Sequence, residues 1–374
     1  SAASDVYKRQ DLDEQTDGVM FHSENFQSLS FMQARLHQQI DCVYTDPPYN
    51  TAASEIAYKN EYKDSSWLTL MQDRIRVSQP LIGPSACYAV AIDDFEVAHL
   101  IELLDDRFRG YDIHIVVVNH HPQGGMSNNV SRTHEYMLVA TPRGKDILRG
   151  AKKPDEYELR SFMLSGPGDN KSRHGRPNSF YALLVDEPNA RVVGCEPPPH
   201  GDTYPTTPTE DGFSRRYPIS PSGEEKVWCR AHSSAAEAIA SGEVVVADSG
   251  TIKLRVNNDG KRFSLMSNWT DSRYNAGPHG TALLSHIIND REAFSYPKSL
   301  YTVRDAVDAM TWPTKCPRIL DFFGGSATTA HAVILLNRED DGGRRFVLVE
   351  MGSYFDTVLV PRLKKVTYAP EWKD

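Results

Sequence analysis

Between residues 18 and 141, short apolar runs alternate with longer stretches of helical period. "DCVYTD" (41–46), "CYAVAID" (87–93), "DIHIVVVNH" (112–120) and "EYMLVAT" (135–141) are almost continuously apolar. Such runs predict strands of a parallel sheet covered on both faces. "NFQSLSFMQARLHQQ", "SSWLTLMQDRIRVSQ" and "DFEVAHLIELLDD" repeat their apolar positions at helical spacing, and Asp94 is expected to cap the last of them. Strand and helix in alternation predict an α/β sheet.

From about residue 142 the texture changes. Turn formers cluster in "SGPGDNKSRHGRPNS" and "GCEPPPHGDTYPTTPTEDGFSRRYP", and periodicity fades. The alternation then resumes with "RILDFF" (318–323), the helix "ATTAHAVILLNR" and the strand "RFVLVEM" (345–351). The pattern predicts one fold, carried by residues 18–141 and 291–374, interrupted by a loop-rich or partly β insert over 142–290.

Composition narrows the class. The 374 residues, 40% hydrophobic and 24% charged, describe a globular chain, and no apolar run approaches the roughly 20 residues that cross a bilayer. Five scattered cysteines without a CxxC pair point to a reduced, cytoplasmic protein lacking a structural zinc site. No secretion signal accompanies the N-x-S/T matches at Asn129, Asn170 and Asn268, which therefore read as chance. The opening residues lack a starting methionine and are set aside from the fold. A net charge of −9 argues mildly against nucleic acid, but residues 143–176 carry nine Lys/Arg against five Asp/Glu. That stretch is either solvated surface or a local basic patch.

Ligands of an open α/β sheet bind at the carboxyl ends of its strands, and two motifs fall there. The first is Asp46-Pro47-Pro48-Tyr49. Its prolines fix φ and donate nothing, an ionised aspartate only accepts, and tyrosine offers a flat ring. Two readings fit: a turn with a surface tyrosine, or a pocket for an amino group on a planar ring such as a nucleobase. The second motif is the glycine turn in "LDFFGGSATTAHA" (320–332), where backbone N–H groups opening a helix can approach a ligand closely. It has neither the G-x-G-x-x-G spacing nor a G-K-S/T, which lowers NAD and ATP as ligands. Glu350 ends the next strand, where an acid can hold ribose hydroxyls or simply meet solvent. His120 and His121 lack a third ligand at sensible spacing and read as structural, so no metal is expected.

Together, Asp46-Pro47-Pro48-Tyr49 followed much later by Phe323-Gly324-Gly325-Ser326-Ala327 resembles the amino-methylating DNA methyltransferases. The order, with the catalytic motif before the cofactor motif, is similar to the adenine-specific modification subunits of type III restriction-modification systems. "FHSENFQSL", "THEYMLVATPRG", "FSYPKSLYTVRDAV" and the closing "GSYFDTVLVPRLKKVTYAPEWKD" fit the same family, so the resemblance runs from about residue 18 onward. It implies a Rossmann-like S-adenosylmethionine-dependent methyltransferase fold with a mostly parallel central sheet, whose loop-rich or partly β insert recognises the target. It departs at Ala327, where the family's F-x-G-x-G loop has its second glycine, and at "PEWKD", where relatives commonly continue into a further module.

The resemblance implies that Asp46 and the Pro47 carbonyl accept the hydrogens of the N6 amine of an adenine flipped out of double-stranded DNA, with Pro48 stiffening the loop and Tyr49 stacking on the base. Phe323, Gly324, Gly325 and Ser326, with Glu350, Lys298 and Ser299, would hold S-adenosylmethionine, and Arg173 and Arg176 of the insert would contact DNA. It also implies an ATP-dependent restriction subunit as partner and self-association as a homodimer. Rival expectations are a DNA-binding specificity subunit without catalysis, and N4-cytosine methylation. Serine in place of the aspartate is more usual for cytosine.

Overall fold

The computed structural model describes residues 16–50, 64–124, 129–154, 156–369 and 372; the opening residues set aside above fall almost wholly outside them. The chain divides into two compact units, one comprising Ser1–Ala151 and Phe263–Asp374, the other Lys152–Arg262.

The first unit is built on one eight-stranded sheet. In chain order its strands are β1 (Gly18–His22), β2 (Ile40–Thr45), β3 (Ile82–Ile92), β4 (Tyr111–Val118), β5 (Glu135–Pro142), β6 (Asn268–Trp269), β7 (Arg318–Asp321) and β8 (Arg345–Glu350). In space they lie β1-β8-β7-β2-β3-β5-β4-β6. Neighbours from β1 to β3 run parallel. The sheet is mostly parallel, as expected, and the exception is "EYMLVAT": β5 runs antiparallel to both β3 and β4. A run apolar on both faces reports burial, not direction.

Successive residues of each central strand face opposite sides. Cys42 and Tyr44, Cys87 and Ala89, Met137 and Val139 join one core with helices α5 (Leu300–Thr311), α6 (Thr328–Asp340) and α7 (Leu359–Tyr368). Val43, Tyr88, Val90, Leu138 and Ala140 join the other with α1 (Asn25–Leu36), α2 (Asp64–Ser78) and α3 (Val97–Arg107). Period-two alternation between two apolar faces is what three layers require. Among the described residues no helix is long and apolar enough to cross a membrane. Asp94 does not cap α3: the cap position is Glu96, and Asp94 instead accepts from the Tyr136 hydroxyl and pairs with Arg132.

Chain order fixes where a site forms. From β2 the chain proceeds to β3 on one side, and from β7 to β8 on the other, so the sheet changes winding direction between the adjacent strands β2 and β7. The carboxyl ends at such a switch point leave a crevice. Ile319 pairs with Cys42 and Leu320 with Val43, which brings Asp46 and Phe323 to the same edge.

The second unit is partly β, with short antiparallel pairings around its own core of Phe162, Tyr181, Leu183, Val185, Trp228 and Ala235. The Trp228 indole donates to the Tyr181 carbonyl at 2.9 Å. Its bounds are narrower than the 142–290 stretch marked by sequence texture. Residues 263–290 supply β6 and the helix α4 (Leu283–Ile288) to the first unit, too short and turn-rich to show a period.

Candidate active site

Asp46 follows β2 directly, and the two buried prolines carry the chain out of the sheet. Trp67 of α2 donates its indole N–H to the Pro48 carbonyl at 2.7 Å and is itself almost fully buried, so the loop is pinned from the helix layer. Asn50 closes the loop with φ at +59° and donates to Glu96 at 2.7 Å.

Around this loop lies a compact charged cluster. The Lys298 ammonium sits 2.5 Å from Glu135 Oε2 and 3.3 Å from Asp46 Oδ1, and it also donates to the Tyr49 hydroxyl. The Tyr49 hydroxyl donates to Glu135 at 3.1 Å, and the ammonium lies 4.5 Å from the centre of the Tyr49 ring. Burial pushes the Asp46 carboxyl up despite the attraction of Lys298. Burial acts the same way on Glu135, but Lys298 prevails and holds that carboxyl below its usual range. The two acids in turn keep Lys298 charged against burial. His120, at the end of β4, is held toward its neutral form by burial.

One strand away, β7 ends on the buried Asp321, whose carboxylate accepts from Thr329 Oγ1 at 2.6 Å and from the Phe323 amide at 3.1 Å. Asn25 of α1 donates to the Phe322 carbonyl at 3.1 Å. The Gly324 amide donates to the Val349 carbonyl at 3.0 Å, and a Cβ there would come within 3.2 Å of the same oxygen. Gly325 turns at φ +49° and Ala327 at φ +66°. Glu350, at the end of β8, accepts three backbone N–H groups, from Gly325 at 2.7 Å, Met351 at 2.8 Å and Gly352 at 2.7 Å.

Behind the turn, the fully buried Arg362 of α7 donates to the Ser326 carbonyl at 3.0 Å and to the hydroxyls of Ser326 and Thr328 at 2.9 Å. Burial drops its pKa to about 9. Ser326 therefore faces into this packing.

The residues singled out from the sequence thus fall into four places. Asp46, Pro47, Pro48, Tyr49 and Lys298 form one cluster; Phe323, Gly324, Gly325, Ser326 and Glu350 form the adjoining turn. Ser299 caps α5, its hydroxyl accepting from the Tyr301 amide and donating to the Arg273 carbonyl at 2.7 Å. Arg173 and Arg176 belong to the second unit. Arg173 pairs with Glu225 at 3.1 Å and lies over the Phe180 ring at 4.5 Å, so its guanidinium fork is already occupied. Glu135, Trp67, Asn25, Asp321 and Arg362 had not been singled out.

Asp46 and Glu135 share the ammonium of Lys298, and Glu350 adds a further carboxylate at a neighbouring strand end, an excess that favours a cationic ligand. The crevice combines acceptors for an amino group, a flat ring and a tight glycine turn.

The profile of the family described as DNA methylase matches residues 40–359. Relatives include the type II methyltransferase M.KpnI of Klebsiella pneumoniae, 29% identical over 90% of this chain and 81% of that protein. The EcoPI Mod subunit of a type III restriction-modification enzyme, from Escherichia phage P1, is 24% identical over 93% of this chain and 60% of that one. The StyLTI Mod subunit of Salmonella typhimurium is 26% identical, covering 87% and 51%. The chain therefore spans little more than half the length of these two Mod subunits. Among solved structures, the M1.HpyAVI–SAM complex aligns over 92% of this chain and 98% of that one at 13% identity and a TM-score of 0.43. The cytosine-N4-specific PvuII DNA methyltransferase aligns over 93% and 86% at 10% identity and a TM-score of 0.46.

Proposed function

The chain belongs to the DNA methylase family, and from that membership we propose that it transfers a methyl group from S-adenosylmethionine to the exocyclic N6 of adenine in DNA. The observation that carries this reading is Asp46 at the switch point, beside the glycine turn of Gly324 and Gly325. S-adenosylmethionine supplies an activated methyl group on a positively charged sulfur. The carboxylate excess suits that charge, and Glu350, by accepting the Gly325 amide, fixes the glycine turn that follows the buried Phe323.

The chain's own groups act on the amine. An exocyclic amine is a poor nucleophile because its lone pair is delocalised into the ring. Asp46 and the Pro47 carbonyl accept its two hydrogens, draw the nitrogen out of the ring plane and free the lone pair. As the new N–C bond forms, one amine proton passes to the Asp46 carboxylate, where burial already favours protonation. Acceptors aimed at charge developing on nitrogen, in a site that holds both reactants, supply the acceleration. Tyr49, its hydroxyl fixed by Glu135 and Lys298, presents its ring to the flipped base. The Ser299 cap holds Lys298 at the start of α5. The second unit would read the recognition sequence on cytoplasmic DNA, with Arg176 a candidate for phosphate or base contacts.

A second reading concerns partners. The two Mod-subunit matches favour a modification subunit that works with an ATP-dependent restriction subunit, whereas the longer coverage of the type II relative favours methylation by this chain alone.

The test is transfer of labelled methyl from S-adenosylmethionine to unmethylated bacterial DNA, followed by nucleoside analysis, with Asp46→Ala alongside. N6-methyladenine made by the wild type and lost in the variant is the expected result. N4-methylcytosine would overturn the choice of base, and label transferred equally by Asp46→Ala would overturn the site.

A further inference from the structure

Lys298 stands at the centre of the cluster, and its three N–H bonds are all accounted for: one to Glu135, one to the Tyr49 hydroxyl, one toward Asp46. The sharing is unequal. The ammonium is 2.5 Å from Glu135 and 3.3 Å from Asp46. Both the lysine side chain, 12% exposed, and the glutamate side chain, 4% exposed, are withdrawn from water, whereas Asp46 is 27% exposed and open to the crevice.

Consider the cluster without Glu135. A single buried ammonium beside a single carboxylate closes onto it, because in a low-dielectric site the attraction grows steeply as the pair shortens. Asp46 would then be charged but occupied, with an oxygen turned to the lysine instead of the amine. Without Lys298 the opposite fault arises: two carboxylates face each other in a buried site and one takes up a proton. The observed arrangement avoids both.

We infer that Glu135 and Lys298 are positioning residues for Asp46: Glu135 draws the ammonium to itself, so that the lysine keeps Asp46 charged without capping it. This inference rests on methyl transfer at Asp46. The same pair orients Tyr49, since both residues hold its hydroxyl. Lys298 thereby gains a role toward the amine-accepting carboxylate, separate from the glycine turn.

The other titratable groups facing the cluster are Tyr44 on β2, Asp93 after β3, His120 after β4 and Asp321 at the end of β7. They are unchanged in the two variants that separate the roles, Lys298→Met and Glu135→Gln.

The experiment measures single-turnover methylation across pH 6 to 9, with S-adenosylmethionine and DNA binding measured beside it. Lys298→Met raises the protonation of Asp46, so its rate deficit is expected to be at least about tenfold larger at pH 6 than at pH 9. Glu135→Gln lets Lys298 close on Asp46, so its rate is expected to fall roughly tenfold at every pH, with the acid limb displaced downward. Folding of both is checked by thermal melting, and Lys298→Arg, which keeps the charge, is expected to restore the acid limb. Limbs that move in the same direction, or a Glu135→Gln plateau equal to wild type, would overturn the inference. A wild type that methylates nothing while binding both ligands would instead overturn the methyl-transfer reading on which it rests.

Discussion

Glu350 Oε2 accepts the Gly325 amide at 2.7 Å, tying the carboxyl end of β8 to the glycine turn that follows β7. With Oε1 bound to the amides of Met351 and Gly352, one side chain fixes two turns that line the crevice. Glu350→Gln keeps the length but replaces one acceptor oxygen with an NH2 group, so at least one amide loses its partner inside a buried site. Hydrogen bonds to charged groups contribute about 1.5–3 kcal/mol. We expect urea unfolding to show a loss of about 2 kcal/mol and calorimetry to show S-adenosylmethionine binding weakened roughly tenfold. Full affinity in a destabilised variant would separate the turn's shape from its ligand.

Ala327 occupies the left-handed region at φ +66° where the resemblance leads one to expect glycine. Left-handed backbone costs an L residue roughly 1–2 kcal/mol. Its methyl is fully buried, and burying one such group contributes about 0.8 kcal/mol. Strain relief and the lost methyl nearly offset each other, so Ala327→Gly is expected to stabilise by less than about 1 kcal/mol and to leave cofactor affinity unchanged. Ala327→Val adds branched bulk at the same backbone angle and is expected to lower Tm sharply. A thermal melt of the two variants checks the balance. If glycine proves markedly destabilising, the methyl's packing outweighs the backbone strain.

Trp67 acts through the loop and not on the substrate: its indole is the group that holds the Pro48 carbonyl. Trp67→Phe leaves that carbonyl unpaired and a void in the core beside α2. The expected cost is about 2–4 kcal/mol. Because Tyr49 follows Pro48, kcat should fall, whereas binding of S-adenosylmethionine at the glycine turn should hold. An unchanged kcat in a folded but less stable variant would mean that Asn50 and Glu96 suffice to place the loop.

Asp46 and Gly325 could be picked out from the sequence because each lies in a short motif at a strand end, where chemistry and position are both local. Glu135 could not. It ends a loop and begins β5, and a lone glutamate there reads as solvated; its partners Tyr49 and Lys298 are 86 and 163 residues away. Arg362 was hidden for a similar reason, since an arginine on an amphipathic helix ordinarily points to water. The antiparallel direction of β5 was invisible because apolarity on both faces reports only coverage. The insert's true edges were lost where turn-rich sequence continued past Arg262 into short elements of the first unit. Local pattern carried the layers and the two motifs; contacts that depend on the sheet's order had to await the fold.

Asp321 offers a pH test that needs no substrate. Its carboxyl is buried at the end of β7, and burial pushes its pKa up to about 7, against an unfolded value of about 3.9. The folded protein therefore holds a proton on Asp321 through a range where the unfolded chain has released it. Below about pH 4 both states are protonated and the group is neutral in its effect. As pH rises from about 4 to 7, the unfolded state gains from ionisation while the folded state does not, so stability declines; above about 7 the loss is complete and constant. At about 1.36 kcal/mol per pKa unit, the full window is worth up to about 4 kcal/mol. Asp321→Asn cannot titrate, and it retains an acceptor for the Phe323 amide while weakening the 2.6 Å bond from Thr329. Urea unfolding at pH 5 and pH 8 should show the variant gaining on the wild type as pH rises. A gap independent of pH would mean that Asp321 is already ionised at pH 5, held there by Thr329 and the Phe323 amide against its burial.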